Sequence, residues 1–163
     1  MATWGEFARS EPEFAKLVQD RFNSHRHKML ATLRKDGSPR LSGIEATFAD
    51  GQLWLGMMPG SLKVLDLRRD PRLSLHSALD NAEMPSGDAR ISGRAIEHTD
   101  DETKTAFSRA SREATGQEVP PGPFHLFSLD ISEVVLIRIG DPADHLVIET
   151  WREGRELSRV ERR

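Results

Sequence analysis

From Met29 onward, short apolar runs are cut at close intervals by turn-forming residues: Asp36-Gly37-Ser38-Pro39, Asp50-Gly51, Pro59-Gly60, Asp70-Pro71, Gly140-Asp141-Pro142 and Glu153-Gly154. Most of the pieces between them are too short for ordinary helices, and Asp-Gly between two apolar runs is a strong local signal for a tight hairpin. The pattern predicts strands over Met29 to Leu33, Arg40 to Phe48 and Leu53 to Met57, joined as an antiparallel meander. Further strands are expected over Leu73 to Ser77, Ala89 to Glu97, Glu133 to Ile139 and His145 to Trp151. In the second strand Leu41, Gly43, Glu45 and Thr47 share one face, and Ser42, Ile44, Ala46 and Phe48 share the other.

Helical signals fall between these strands. Thr3 and Glu6 have capping-box spacing, and Ser10 before Glu11-Pro12-Glu13 is a second start, for a helix over about Glu11 to Phe22. Its Phe14, Leu17, Val18 and Phe22 recur at helical spacing, so that face is expected to dock. Ser61 opens a short helix that Asp70-Pro71 stops. Thr99-Asp100-Asp101-Glu102 caps another that runs to about Ala114 and ends at Gly116. Val119 to Pro123 reads as a stiff connector, Ala78 to Gly87 as an irregular loop, and Arg155 to Arg163 as a charged, frayed tail.

Many short strands with helices set between them predict a mainly β fold with flanking helices, an antiparallel barrel over about residues 29–151. A Rossmann sheet is disfavoured, since no Gly-x-Gly-x-x-Gly follows a strand. The 163 residues suit one domain. The chain has no cysteine, which excludes thiolate nucleophiles, disulfides and iron-sulfur ligation, so any redox chemistry must be borrowed from a cofactor. A formal net charge of -3 gives no global field for a polyanion, so nucleic acid is not an expected partner. No basic-then-apolar leader and no bilayer-length apolar run is present, which predicts a cytoplasmic protein without a membrane partner.

The segment richest in chemistry is Leu53-Trp54-Leu55-Gly56-Met57-Met58-Pro59-Gly60-Ser61-Leu62-Lys63, a strand that turns at Pro-Gly and opens a helix. Free N–H groups at a helix start attract anions, Ser61 adds a donor and Lys63 adds a full charge. Two readings stand on chemistry alone: a phosphate site, or a plain N-cap serine with a solvated lysine. The order of residues is not a Walker A loop. No Gly-x-Ser-x-Gly nucleophile elbow occurs. His25 and His27 share a face if extended, but no third ligand stands at metal spacing, and no metal site is predicted. His76 reads as a structural, barrel-lining histidine and Glu45 as a glutamate paired with an arginine. Trp54 and Trp151 suit either a core or a planar ligand.

Leu30-Ala31-Thr32-Leu33, Asp36-Gly37-Ser38-Pro39, Asp50-Gly51, Leu53-Trp54-Leu55, Gly60-Ser61-x-Lys63 and Asp70-Pro71-Arg72, in this order and spacing, resemble the pyridoxamine 5'-phosphate oxidase-like, FMN-binding split-barrel superfamily. The resemblance is strongest from Met29 to Ser77. It implies a six-stranded antiparallel split barrel, a homodimer, and cofactor sites in clefts between subunits. It assigns Ser42, Gly43, Ile44 and Glu45 to the strand beside the isoalloxazine ring, Gly56 and Met57 to the ring and ribityl chain, and Ser61 and Lys63 to the phosphate. It favours the phosphate reading of the helix start.

Leu62 stands where such oxidases carry an arginine before the lysine, and Ser42 stands at another of their arginines. Their C-terminal signature for substrate phosphate is also absent from Trp151-Arg152-Glu153-Gly154-Arg155, which points away from vitamin B6 oxidation and towards relatives of actinobacterial type. The expected function is a flavin-dependent oxidoreductase that uses FMN, or alternatively coenzyme F420, for hydride transfer with a small organic substrate. The alternative is a non-catalytic carrier of flavin, F420 or haem.

Overall fold

The computed structural model describes residues 1–79 and 87–163. The expected loop over Ala78 to Gly87 lies mostly outside the described residues. The observed order is α1 (Trp4–Ser10), α2 (Pro12–Asn23), β1 (His27–Leu33), β2 (Pro39–Ala49), β3 (Gln52–Met57), α3 (Leu62–Arg69), β4 (Arg72–His76), β5 (Asp88–His98), α4 (Asp101–Thr115), β6 (His125–Ile139), β7 (Leu146–Arg152) and β8 (Ser158–Arg162).

The β1–β2–β3 meander forms as predicted. At its second turn Asp50 (φ 49°) and Gly51 (φ 68°) both adopt positive φ, the conformation that an Asp-Gly hairpin supplies. The strands form one sheet in the order β3-β2-β1-β4-β5-β6-β7-β8, and β3 also pairs with β6. That last pairing, Trp54 to Met57 against Ser128 to His125, closes β1 to β6 into a six-stranded antiparallel barrel. The long strand β6 makes this possible, because its first part pairs with β3 and its second part, Glu133 to Ile139, carries β7 outward. A bulge at Ser92/Gly93 bends β5 against β6. There a Cβ on Gly93 would sit 2.2 Å from the Asp130 carbonyl oxygen, so only glycine lets the strands approach.

Alternate residues fill the barrel: Leu30, Ile44, Ala46, Phe48, Leu53, Leu55, Leu75, Ile91, Leu129 and Leu136 are all buried in one cluster. Helices α1 and α2 cover one end. Trp4 packs edge-on against Phe48 at 4.5 Å, and Phe7 packs at a tilt against Trp151 at 4.8 Å. A smaller cluster of Trp54, Phe107 and Leu126 seats α4 on the outside of the barrel. No helix among the described residues is long and apolar enough to cross a membrane.

Three local expectations are corrected. The Thr3/Glu6 capping box opens a separate helix α1, and the Ser10 hydroxyl donates back to the Phe7 carbonyl at 2.8 Å instead of capping α2. Leu17 is 44% exposed, and Ala15 takes its place on the buried face of α2. Within the expected Thr99 to Glu102 start, Asp100 caps α4, accepting from the Thr103 N–H at 2.7 Å. The C-terminal segment is not frayed: Ser158–Arg162 pairs along β7 as β8.

Candidate functional site

The turn into α3 is shaped by Gly60, whose φ of 78° a residue with a side chain adopts only under strain. Ser61 then takes the extended N-cap conformation, but its side chain makes no capping hydrogen bond. The hydroxyl is therefore not spent on the helix's own N–H groups. Within the first turn, the Lys63 ammonium donates to the Gly43 carbonyl at 2.9 Å, tying α3 to β2. Partial burial of Lys63 pushes its pKa below the ordinary lysine value.

The residues that sequence reasoning places around a cofactor divide between two faces. Gly43 and Glu45 are exposed on the outer face of β2, and Gly56 is exposed on β3. A Cβ on Gly43 or Gly56 would meet nothing within 4 Å, so these two glycines leave open room on the surface. Ile44 and Met57 instead point into the core, 5% and 3% exposed, so only their backbones can line a ligand. Ser42 lies on the Ile44 side of β2, and its hydroxyl is buried without a hydrogen-bond partner among the described residues.

Beyond Leu62, on the flank of α3, lies an open cleft of about 610 Å³ lined by Arg34, Lys35, Arg40, Leu62, Leu65 and Arg69 together with Asp36 and Asp66. Asp66 organises it. Its carboxylate, 3% exposed, accepts from Arg40 Nε at 2.6 Å, Thr32 Oγ1 at 2.9 Å and Arg69 Nη2 at 2.9 Å. Burial would push this carboxyl up, but the hydrogen bonds from Arg40, Arg69 and Thr32 outweigh it and hold its pKa below the ordinary aspartate value. Arg34 and Lys35 make no ion pair among the described residues, so neither is held by a carboxylate as Arg40 and Arg69 are. Sequence reasoning found no arginine near the helix start because none is adjacent in sequence. The β1–β2 hairpin and the end of α3 bring them there.

The remaining candidates have structural partners. Glu45 accepts from Arg26 Nε at 2.7 Å, as the arginine-paired reading expects. Trp54 donates its indole N–H to the Ala49 carbonyl at 3.1 Å and is buried, and Trp151 is buried as well, so neither presents a face to a planar ligand. His76 does not line the barrel. It lies on the outer side of β4, half-buried, with Nδ1 at 2.7 Å from the Ser77 carbonyl oxygen. His25 contacts Ser24, and His27 stands opposite Glu45 in the β1–β2 ladder.

The fold has close counterparts among solved structures. A conserved hypothetical protein, Rv2991, from Mycobacterium tuberculosis is similar at 23% identity and TM-score 0.59, over 76% of this chain and 81% of that one. A pyridoxamine 5'-phosphate oxidase-related, FMN-binding protein from Nostoc punctiforme matches at 18% identity and TM-score 0.63, over 100% of this chain and 98% of its own. A heme binding protein from Mycobacterium smegmatis matches at 22% identity and TM-score 0.55, over 88% of this chain and 57% of that one. No curated protein matches the sequence. The family model for pyridoxamine 5'-phosphate oxidase matches residues 14–138, from α2 through nearly all of β6. The closed six-stranded barrel and this match agree, and the chain belongs to the pyridoxamine 5'-phosphate oxidase family.

Proposed function

We propose that the chain binds a phosphate-bearing flavin, FMN or alternatively coenzyme F420, at the start of α3 and along the outer face of β2 and β3, in a cleft completed by a second copy. The observation that carries this reading is the placement of Lys63: its ammonium reaches the Gly43 carbonyl beside an N-cap serine whose hydroxyl is uncommitted. A phosphate at that helix start meets N–H groups, a hydroxyl and a cation together. The open surface at Gly43 and Gly56 fits a flat ligand lying along these strands.

In this scheme Ser61 and Lys63 hold the phosphate, and Gly43, Glu45 and Gly56 border the ring, with Ser42, Ile44 and Met57 contributing backbone. Arg34 and Lys35, the cations on the Leu62 side that Asp66 does not engage, supply positive charge in place of the family arginines missing at Ser42 and Leu62. The cofactor, when bound, supplies hydride chemistry for a small organic substrate, and the protein supplies anchoring, orientation and exclusion of water. Purified protein titrated with FMN and with F420 tests this. Saturable binding with a perturbed visible spectrum is expected, and failure of both to bind below about millimolar concentration defeats the reading.

A second reading, a carrier of flavin, F420 or haem without turnover, is favoured by one observation. Glu45, on the face proposed for the ring, is already held by Arg26 at 2.7 Å, so this acid is not free to act as a general acid. Reduction of the bound cofactor by nicotinamides or candidate substrates separates the two readings.

A further inference from the structure

The sheet does not end with the barrel. β7 and β8 extend it past β6, and β8 is its terminal strand, with all five residues Ser158–Arg162 exposed. An edge strand presents a row of unpaired backbone groups, which natural proteins block, cover or use for pairing with another chain. Nothing among the described residues covers β8, and it contains neither proline nor an irregularity in its pairing with β7.

We propose that β8 is an interface between copies of this chain, in which two β8 strands pair antiparallel about a two-fold axis at Val160. The charge order along the strand selects this register. A two-fold antiparallel pair sets residues with a constant even sum opposite each other, since directly opposed side chains share a face. Centred on Val160, Arg159 faces Glu161 of the partner subunit twice over, and Val160 faces its own copy. Centred one residue earlier, Arg159 opposes Arg159. Centred one residue later, Glu161 opposes Glu161 and Arg159 opposes Arg163. Like charges directly opposite are unfavourable and opposite charges favourable, so one register is selected.

The neighbouring strand supports the same register. Within the chain Arg159 already stands opposite Glu149, so the paired edge extends a row of alternating charge across the junction. On the other face Ile137, Ile148 and Val160 form a cross-strand row. Val160 is 46% exposed, and Leu146 and Ile139 beside it are 39% and 37% exposed. Pairing at Val160 joins two such apolar rows into one. The β8 two-fold is separate from that of any dimer formed around a cofactor cleft, so this contact doubles whatever unit the chain otherwise forms, and losing it halves the mass in either case.

The test is sedimentation equilibrium of the wild-type chain, Arg159→Glu, Glu161→Arg and the double variant Arg159→Glu/Glu161→Arg. Each single variant places like charges opposite each other, and the double variant restores the pairing with its sign inverted. The expected result is that each single variant has half the wild-type mass, that the double variant returns to it, and that mixing the two single variants at equal concentration also returns to it. The mixing arm guards against misfolding, since two misfolded chains do not rescue one another. Equal mass for wild type and single variants overturns the proposal, as does a loss of mass that neither the double variant nor mixing restores.

Discussion

The Lys63 ammonium donates to the Gly43 carbonyl at 2.9 Å, linking the first turn of α3 to the strand that borders the proposed ring site. This contact makes the lysine a cation held in place, with less rotamer freedom to lose when an anion arrives. Lys63→Ala is predicted to weaken binding of a phosphate-bearing flavin by about 1.5 to 3 kcal/mol, the range for hydrogen bonds to charged groups. Calorimetric titration reads this directly, and unchanged affinity would place the phosphate elsewhere.

Asp66 predicts how stability responds to acid. Its folded pKa lies below the ordinary aspartate value, so it contributes stability that is fully present above the unfolded pKa and is lost as pH falls through the folded one. Replacing it leaves Arg40, whose side chain is 23% exposed, without its partner. Asp66→Ala is predicted to lose about 3 kcal/mol at neutral pH, the lower end for breaking a buried pair, and to show a shallower decline in acid than the wild type. Urea unfolding at several pH values measures both, and parallel pH profiles would remove Asp66 from the account.

Gly93 is predicted to be irreplaceable at the β5–β6 bulge, because a Cβ there meets the Asp130 carbonyl oxygen at 2.2 Å. Backbone, unlike a long side chain, cannot swing aside. Gly93→Ala is expected to destabilise the fold by about 1 to 3 kcal/mol, the usual cost of forced overpacking. A thermal midpoint equal to that of the wild type would contradict this.

Gly56 is predicted to behave in the opposite way. A Cβ there meets nothing within 4 Å, so Gly56→Val should leave stability within about 0.5 kcal/mol, as at an ordinary surface position. It should nevertheless reduce flavin affinity by filling the open surface of β3. Thermal melts and a flavin titration on the same sample separate the two effects, and full retention of affinity would move the ring off β3.

The barrel was legible where turn chemistry and a half-buried face coincide. Asp50-Gly51 marks its hairpin because both residues need positive φ, and Ile44, Ala46 and Phe48 alternate because only one side of β2 is buried. The first part of β6 was not legible, since Leu126, Phe127, Ser128 and Leu129 are buried consecutively where two strands and a helix surround them, and alternation disappears. β8 was missed for the converse reason: fully exposed, it has no apolar face to set a period, and only its pairing with β7 defines it. The helix start at Ser61 and Lys63 stands out as a contiguous motif. The cations on its Leu62 side do not, because Arg40 and Arg69 meet at Asp66 and Arg34 reaches the same cleft only through the fold.

The central claim is that a flavin is held here through its phosphate, and comparing FMN with riboflavin, which lacks that group, tests it most directly. Fluorescence titrations of wild type and Lys63→Ala with both ligands are required. FMN is predicted to bind the wild type about 10- to 150-fold more tightly than riboflavin, the equivalent of about 1.5 to 3 kcal/mol, and the difference should largely vanish in Lys63→Ala. Equal binding of the two ligands by the wild type, or a preference for FMN that survives Lys63→Ala unchanged, would contradict the account.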